Sequence, residues 1–270
     1  MTDHSVQKNE EEVVGDIYLS LLSRHALRYP EDGTHKSWVL PRMMVLFASG
    51  DMDQVIDAIV ADMIHPIGSG LVASVLVEES IRDEMIRKIR CKLKPMNERI
   101  QRHPNYLRTE KLIERMNCST IHIEEFEESD TKKRYGRRMK GSPLIVLDFP
   151  QYYFGDKPTA VMTLSTFRNM SEVVKLHTRE GLNFDTISVW SAKLAQCFDL
   201  LTRLPKVDQW TFNCTNESIK IPKLPAQPTT TVIIQKNVHF EVHVIGGKIK
   251  TIAFPITDAS AKEIYPYSDP

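Results

Sequence analysis

MMVLFASGDMDQVIDAIVADMIHPIGSGLVASVLVEESIRDE, residues 43–84, sets the order of elements for everything around it. The apolar run at its start is short enough for a buried strand. Asp51-Met52-Asp53 then opens a helix with Met52, Val55, Ile56, Ile59, Val60 and Met63 on one face. Aspartates in its first turn suit the positive end of the helix dipole. The loop His65-Pro66-Ile67-Gly68-Ser69-Gly70 follows, then a second apolar strand at residues 71–77. Ser80, with Asp83 three residues later, reads as the cap of another helix. Ile81, Met85, Ile86, Ile89 and Leu93 carry that helix to Pro95. This order predicts an α/β protein with a mostly parallel sheet and helices on both faces. In such a scaffold the loop is where reactive residues are displayed, because its ends are fixed and its tip is exposed.

On the N-terminal side, residues 1–12 are polar. Val14, Ile17, Leu21, Leu22 and Leu27 give residues 13–29 one buried helical stripe, ended by Pro30 and Gly33. The strand that enters the central stretch is expected over 38–47. On the other side a helix over 105–116 leads to a strand at 119–123. Residues 124–141 form a charged loop, acidic at first, then with six basic residues between Lys132 and Lys140. Strands follow at 144–149 and 160–167. A helix over 172–179, capped by Asn169 or Ser171, ends at Gly181. A strand at 186–190, a helix over 192–204 and a strand at 209–213 complete the alternation. Trp190, Phe198 and Trp210 read as core side chains. Prolines 222, 225 and 228 punctuate a linker to strands at 230–234, 240–245 and 248–254, with Gly246-Gly247 as a hairpin turn. Three parts result: a tail and helix (1–35), an α/β domain (36–221) with a basic loop (130–141), and a β-hairpin arm (222–270). An appended hairpin leaves a sheet edge for another subunit, a partner or the chain's own body to cover.

The 270 residues balance 35 basic against 35 acidic side chains. With no net charge, attraction to nucleic acid would have to come from a local patch. No apolar run approaches membrane-spanning length. The acidic start lacks the pattern of a signal peptide. Cys91, Cys118, Cys197 and Cys214 form no Cys-x-x-Cys pair, which argues against zinc and fits reduced thiols in the cytoplasm or nucleus.

Four segments in this order resemble the C-terminal catalytic domain of the aldehyde dehydrogenase superfamily. MMVLFASGDMDQVIDAIV is similar to its strand, Ala-Asp-Leu-Asp turn and helix. ASVLVEESIRDEMIRKI is similar to the elements after the catalytic cysteine. The segment 159–204 is similar to its strand, helix, Asn-x-x-x-x-Gly-Leu region and next helix, and VDQWTFNC to its Gly-x-Val-Trp-Val-Asn strand. A shortened form in an insect family is the nearest resemblance.

The resemblance also exposes departures. The family's nucleophilic cysteine falls on Ser69, a poor nucleophile unless His65 serves as its base. The glutamate base falls near Ser37. The glutamate that holds the nicotinamide ribose is reduced to Asp156. The stretch before Met43 is too short for a dinucleotide-binding unit, and no Gly-x-Gly-x-x-Gly loop occurs, so no cofactor and no metal are expected. The leading expectation is a pseudoenzyme without catalytic residues, acting as a protein-interaction or scaffold module and self-associating through its terminal strands. Two alternatives stand beside it. Lys132, Lys133, Arg134, Arg137 and Arg138, with Tyr135 for stacking, would bind RNA or DNA. Ser69 with His65 would make a hydrolase.

Overall fold

Strand β1 (Arg42–Leu46) is buried along its whole length, as a continuous apolar run flanked on both faces must be. A computed structural model of the chain describes residues 41–64, 66, 70–125, 137–154, 159–215, 231–235, 237–245 and 248–256. The helix expected over 13–29 lies outside them. Helix α1 (Met52–Ile64) leads from β1 to β2 (Val72–Glu78), which pairs with β1 in parallel. A short 3-10 turn (Glu79–Ile81) precedes α2 (Arg82–Lys92). Ser80 therefore does not cap the helix. Its Oγ lies 3.5 Å from Glu78 Oε1, Ile81 occupies the cap position without a side-chain bond, and Asp83 pairs with Arg82 at 3.1 Å. The added 3-10 turn displaces the helix start by two residues from the serine.

Helix α3 (Glu98–Gln101) and α4 (Pro104–Met116) come next, with Asn117 ending α4 in the left-handed conformation, φ 52°. Strand β3 (Thr120–Ile121) follows. β4 (Glu124–Glu125) and β5 (Arg137–Arg138) then pair antiparallel, so the ends of the charged loop form a small ribbon. Strand β6 (Ile145–Leu147), β7 (Met162–Phe167), α5 (Met170–Arg179), β8 (Thr186–Trp190), α6 (Leu194–Arg203) and β9 (Gln209–Phe212) complete the alternation. Asn169 is the cap of α5, its side chain accepting from Glu172 N–H at 3.1 Å.

The C-terminal strands are β10 (Thr231–Gln235), β11 (Val238–Ile245) and β12 (Lys248–Pro255), an antiparallel meander. β12 pairs in parallel with β9, so arm and body share a ten-stranded sheet of order β10-β11-β12-β9-β8-β1-β2-β7-β6-β3. The chain's own body thus covers the inner edge of the arm. Lys250, 1% exposed, fastens it by donating to the carbonyls of Leu204 and Val207 at 3.2 and 2.6 Å. These carbonyls lie just beyond the C-terminal end of α6, where a cation is favoured.

Alternation along β1 divides the core. Met43, Val45 and Phe47 join Val173, Cys197 and Leu200 of α5 and α6 on one face. Met44 and Leu46 join Val55, Ile59, Met85 and Ile89 of α1 and α2 on the other. Burying each such side chain contributes roughly 1.5–3 kcal/mol. Trp190 and Trp210 are 1% exposed, and Phe198 packs against the α5–α6 side, as the sequence suggests. Among the described residues no helix is long and apolar enough to cross a membrane.

Candidate functional site

The loop that joins α1 to β2 is closed at its base by one carboxylate. Asp62, in the last turn of α1, accepts from Val72 N–H at 2.8 Å and from Arg42 Nη2 at 3.3 Å. Both side chains of this ion pair are nearly buried, 5% and 8% exposed. A buried pair of this kind is weak evidence for stability but strongly resists loss of one partner. Arg42 N–H also donates to Leu71 O at 2.9 Å. The end of α1, the start of β1 and the start of β2 are thereby tied at one point.

A second buried carboxylate is Glu180, 1% exposed, at the C-cap of α5. Its Oε1 accepts from Ser74 Oγ at 2.9 Å and its Oε2 from Gln151 N–H at 2.8 Å. Thr163 Oγ1 stands 3.4 Å from both oxygens. Burial, the largest influence, raises the carboxyl above its ordinary range. The hydrogen bonds from Gln151, Ser74 and Thr163 and the charge of Arg179 oppose it. Gly181 follows at φ 68°, and a Cβ there would come within 2.8 Å of the Tyr152 ring. Glycine thus lets the chain leave α5 in the left-handed conformation and keep Glu180 turned inward.

Gln151 is saturated. Its Nε2 donates to Ala73 O at 3.0 Å and to Val161 O at 2.9 Å, and its Oε1 accepts from Thr159 at 3.0 Å. It therefore stitches the starts of β2 and β7 together. Between Met63, Pro66, Val72, Met96, Leu144 and Val161 is a cleft of about 10 Å³, the space of one water molecule.

The arrangement suits holding a loop base more than transferring a proton. Asp62 and Glu180 accept from groups on neighbouring strands and turns, and Glu180 is closed from solvent. His65, Ser69, Ser37 and Asp156 lie outside the described residues. So do Lys132, Lys133 and Arg134, and of Arg137 only the backbone, in β5, is described. Arg138 is described, and its Nη2 holds Glu110 at 2.7 Å and Glu114 at 3.0 Å, carboxylates one turn apart on α4. That guanidinium is engaged within the chain.

None of the four cysteines lines the cleft. Cys91 is exposed on α2. Cys118 packs beside the α4 cluster and its thiol is pushed up by burial. Cys197 lies in the α5–α6 core and Cys214 contacts Ala253 O, and burial pushes each thiol up to about 12. No group of three or more histidine, cysteine or carboxylate side chains among the described residues is placed to hold a metal ion.

Sequence reasoning missed Asp62, Arg42, Gln151 and Glu180. One signal was present for Asp62: it sits three residues after Ile59 on the buried stripe of α1, where an unpaired charge would be costly. Nothing local marks Glu180, because its donors come from elements 17 to 106 residues away.

A family model described as protein of unknown function (DUF1487) matches residues 37–260. The chain belongs to the DUF1487 family. No curated protein matches this DUF1487 chain. Among solved structures it is similar to the delta-pyrroline-5-carboxylate dehydrogenase from Mycobacterium tuberculosis bound with NAD and cobalamin. That likeness has 13% identity and a TM-score of 0.48, and covers 66% of this chain and 36% of the other. An NAD-dependent aldehyde dehydrogenase from Sinorhizobium meliloti is similar at 17% identity and a TM-score of 0.45, over 66% and 38%. A mutant apo betaine aldehyde dehydrogenase from Staphylococcus aureus is similar at 12% and 0.47, over 66% and 38%. The DUF1487 chain spans about two fifths of the length of these structures. Scores below 0.5 carry no inference about activity.

Proposed function

We propose that this DUF1487 chain is a non-catalytic, aldehyde-dehydrogenase-like domain, a pseudoenzyme that works as a protein-interaction module and self-associates through its C-terminal strands. The observation that carries the reading is the position of the thiols. The resemblance places serine where the family has its nucleophilic cysteine. Of the chain's own cysteines, Cys197 is buried in a core, Cys118 and Cys214 are half-buried with their thiols pushed up by burial, and Cys91 is exposed on α2. The described polar groups beside the loop support the same reading. Asp62 accepts from Val72 N–H at the loop base, and Glu180 accepts from Ser74 of β2 and from Gln151 N–H. A body kept for its shape offers surfaces, and the arm strands supply one at the end of the sheet.

The test uses the full chain. Calorimetric titration with oxidised and reduced nicotinamide cofactors, together with turnover on a panel of aldehydes, is expected to give no saturable binding and no cofactor reduction. Saturable binding in the micromolar range, or turnover lost in Ser69→Ala, would end the proposal.

A further inference from the structure

Strand β10 (Thr231–Gln235) stands last in the sheet order, with β11 as its one neighbour among the described strands. Its sequence is TVIIQ, without charge and without proline. Charges and prolines are the ordinary means by which an edge strand refuses a new partner. Val232 and Ile234 are 50% and 51% exposed. They share a face, since they stand opposite Glu241 and His239 of β11, while Ile233 stands opposite Phe240 on the other face.

We propose that a second copy of this chain pairs with β10, antiparallel, about a twofold axis at Ile233. The proposal rests on the interaction reading above and names its partner. Its ground is the symmetry of the strand about that residue. Val232 would stand opposite Ile234 of the partner subunit, and Ile234 opposite Val232 of the partner subunit. These cross-strand pairs join apolar to apolar, and no like charges meet along the strand. A charged peptide would find no counter-charge on this strand, whereas a second copy brings the same uncharged row. In the adjoining row of β11, Glu241 stands 2.7 Å from His243 Nε2. A contact between equal patches closes as a dimer and stops there. Five paired residues lie at the low end of interface sizes, below roughly 1,200 Å², so association is weak and reversible.

Sedimentation velocity on the full chain from about 1 to about 100 µM tests this. The parent is expected to dimerise in that range. Val232→Lys with Ile234→Lys sets lysine against lysine across the axis and should weaken dimerisation at least tenfold. Val232→Lys with Ile234→Glu sets lysine against glutamate twice and should restore it. Ile233→Cys in a Cys91→Ser background, under mild oxidation, should give a covalent dimer that Cys91→Ser alone does not give. A parent that stays monomeric, a lysine–lysine variant that still dimerises, or a folded lysine–glutamate variant that stays monomeric would each overturn the pairing. A dimer indifferent to all three variants removes β10 but leaves self-association through another surface. Nicotinamide binding would instead remove the non-catalytic reading and leave β10 untouched.

Discussion

Replacing Glu180 with alanine should destabilise the fold by about 3–5 kcal/mol. The carboxylate is 1% exposed and accepts from the Ser74 hydroxyl at 2.9 Å and from Gln151 N–H at 2.8 Å. Thr163 can turn to Ala73 O, already 3.4 Å away. The Ser74 hydroxyl and the Gln151 N–H are the two donors left in a closed interior, at about 1–3 kcal/mol each. The lost stem adds a small cavity. Glu180→Gln should stay within about 1 kcal/mol of the parent near neutral pH, because its carbonyl still accepts and its amide can donate to Thr163. The pH dependence has a definite sign. Burial raises the folded carboxyl above its unfolded value. The parent's contribution from Glu180 is then fully present below the unfolded value and is lost as pH rises through the folded one. Glu180→Gln, which does not titrate, should gain on the parent over that rise. Urea unfolding followed by the fluorescence of buried Trp190 and Trp210 measures both effects. An alanine variant within about 1 kcal/mol of the parent, or a glutamine variant that loses ground as pH rises, would refute the account of this network.

Asp62→Ala leaves the Arg42 guanidinium nearly buried at the loop base and removes the acceptor for Val72 N–H. A loss of about 3 kcal/mol in chemical unfolding is expected, with faster hydrogen exchange at the start of β2. Gly50→Ala would set a Cβ 2.4 Å from the backbone oxygen of Trp190, which cannot move without parting β1 from β8. It should cost about 1–3 kcal/mol, measured as a lowered Tm. A thiol reagent should modify Cys91 at once and Cys197 and Cys214 only on unfolding, since burial holds those two up to about 12. Mass spectrometry of the labelled peptides gives the order.

Much of this architecture can be read from residues 43–84 and the alternation beyond them. Met43, Val45 and Phe47 differ in face from Met44 and Leu46 because side chains alternate along any strand, and the structure places them in two separate cores. The strand at Thr186–Trp190 falls where its β-branched and aromatic run puts it. Ser80 misled because a capping serine and a serine in a preceding 3-10 turn have the same local sequence, and the backbone of Ile81 separates them only in space. The role of Arg138 was equally hidden, since Glu110 and Glu114 lie 28 and 24 residues away.

By itself the amino-acid order determined most of the strands and helices of the body and that the strands linked by helices there run parallel. These follow from periodicities and positions confined to a few neighbouring residues. Tertiary structure decided that β12 docks on β9, that Lys250 is buried over the turn after α6, and that Glu180 gathers Ser74, Thr163 and Gln151. Those contacts join residues far apart along the chain. Their energy depends on burial and alignment that exist only once the sheet has closed.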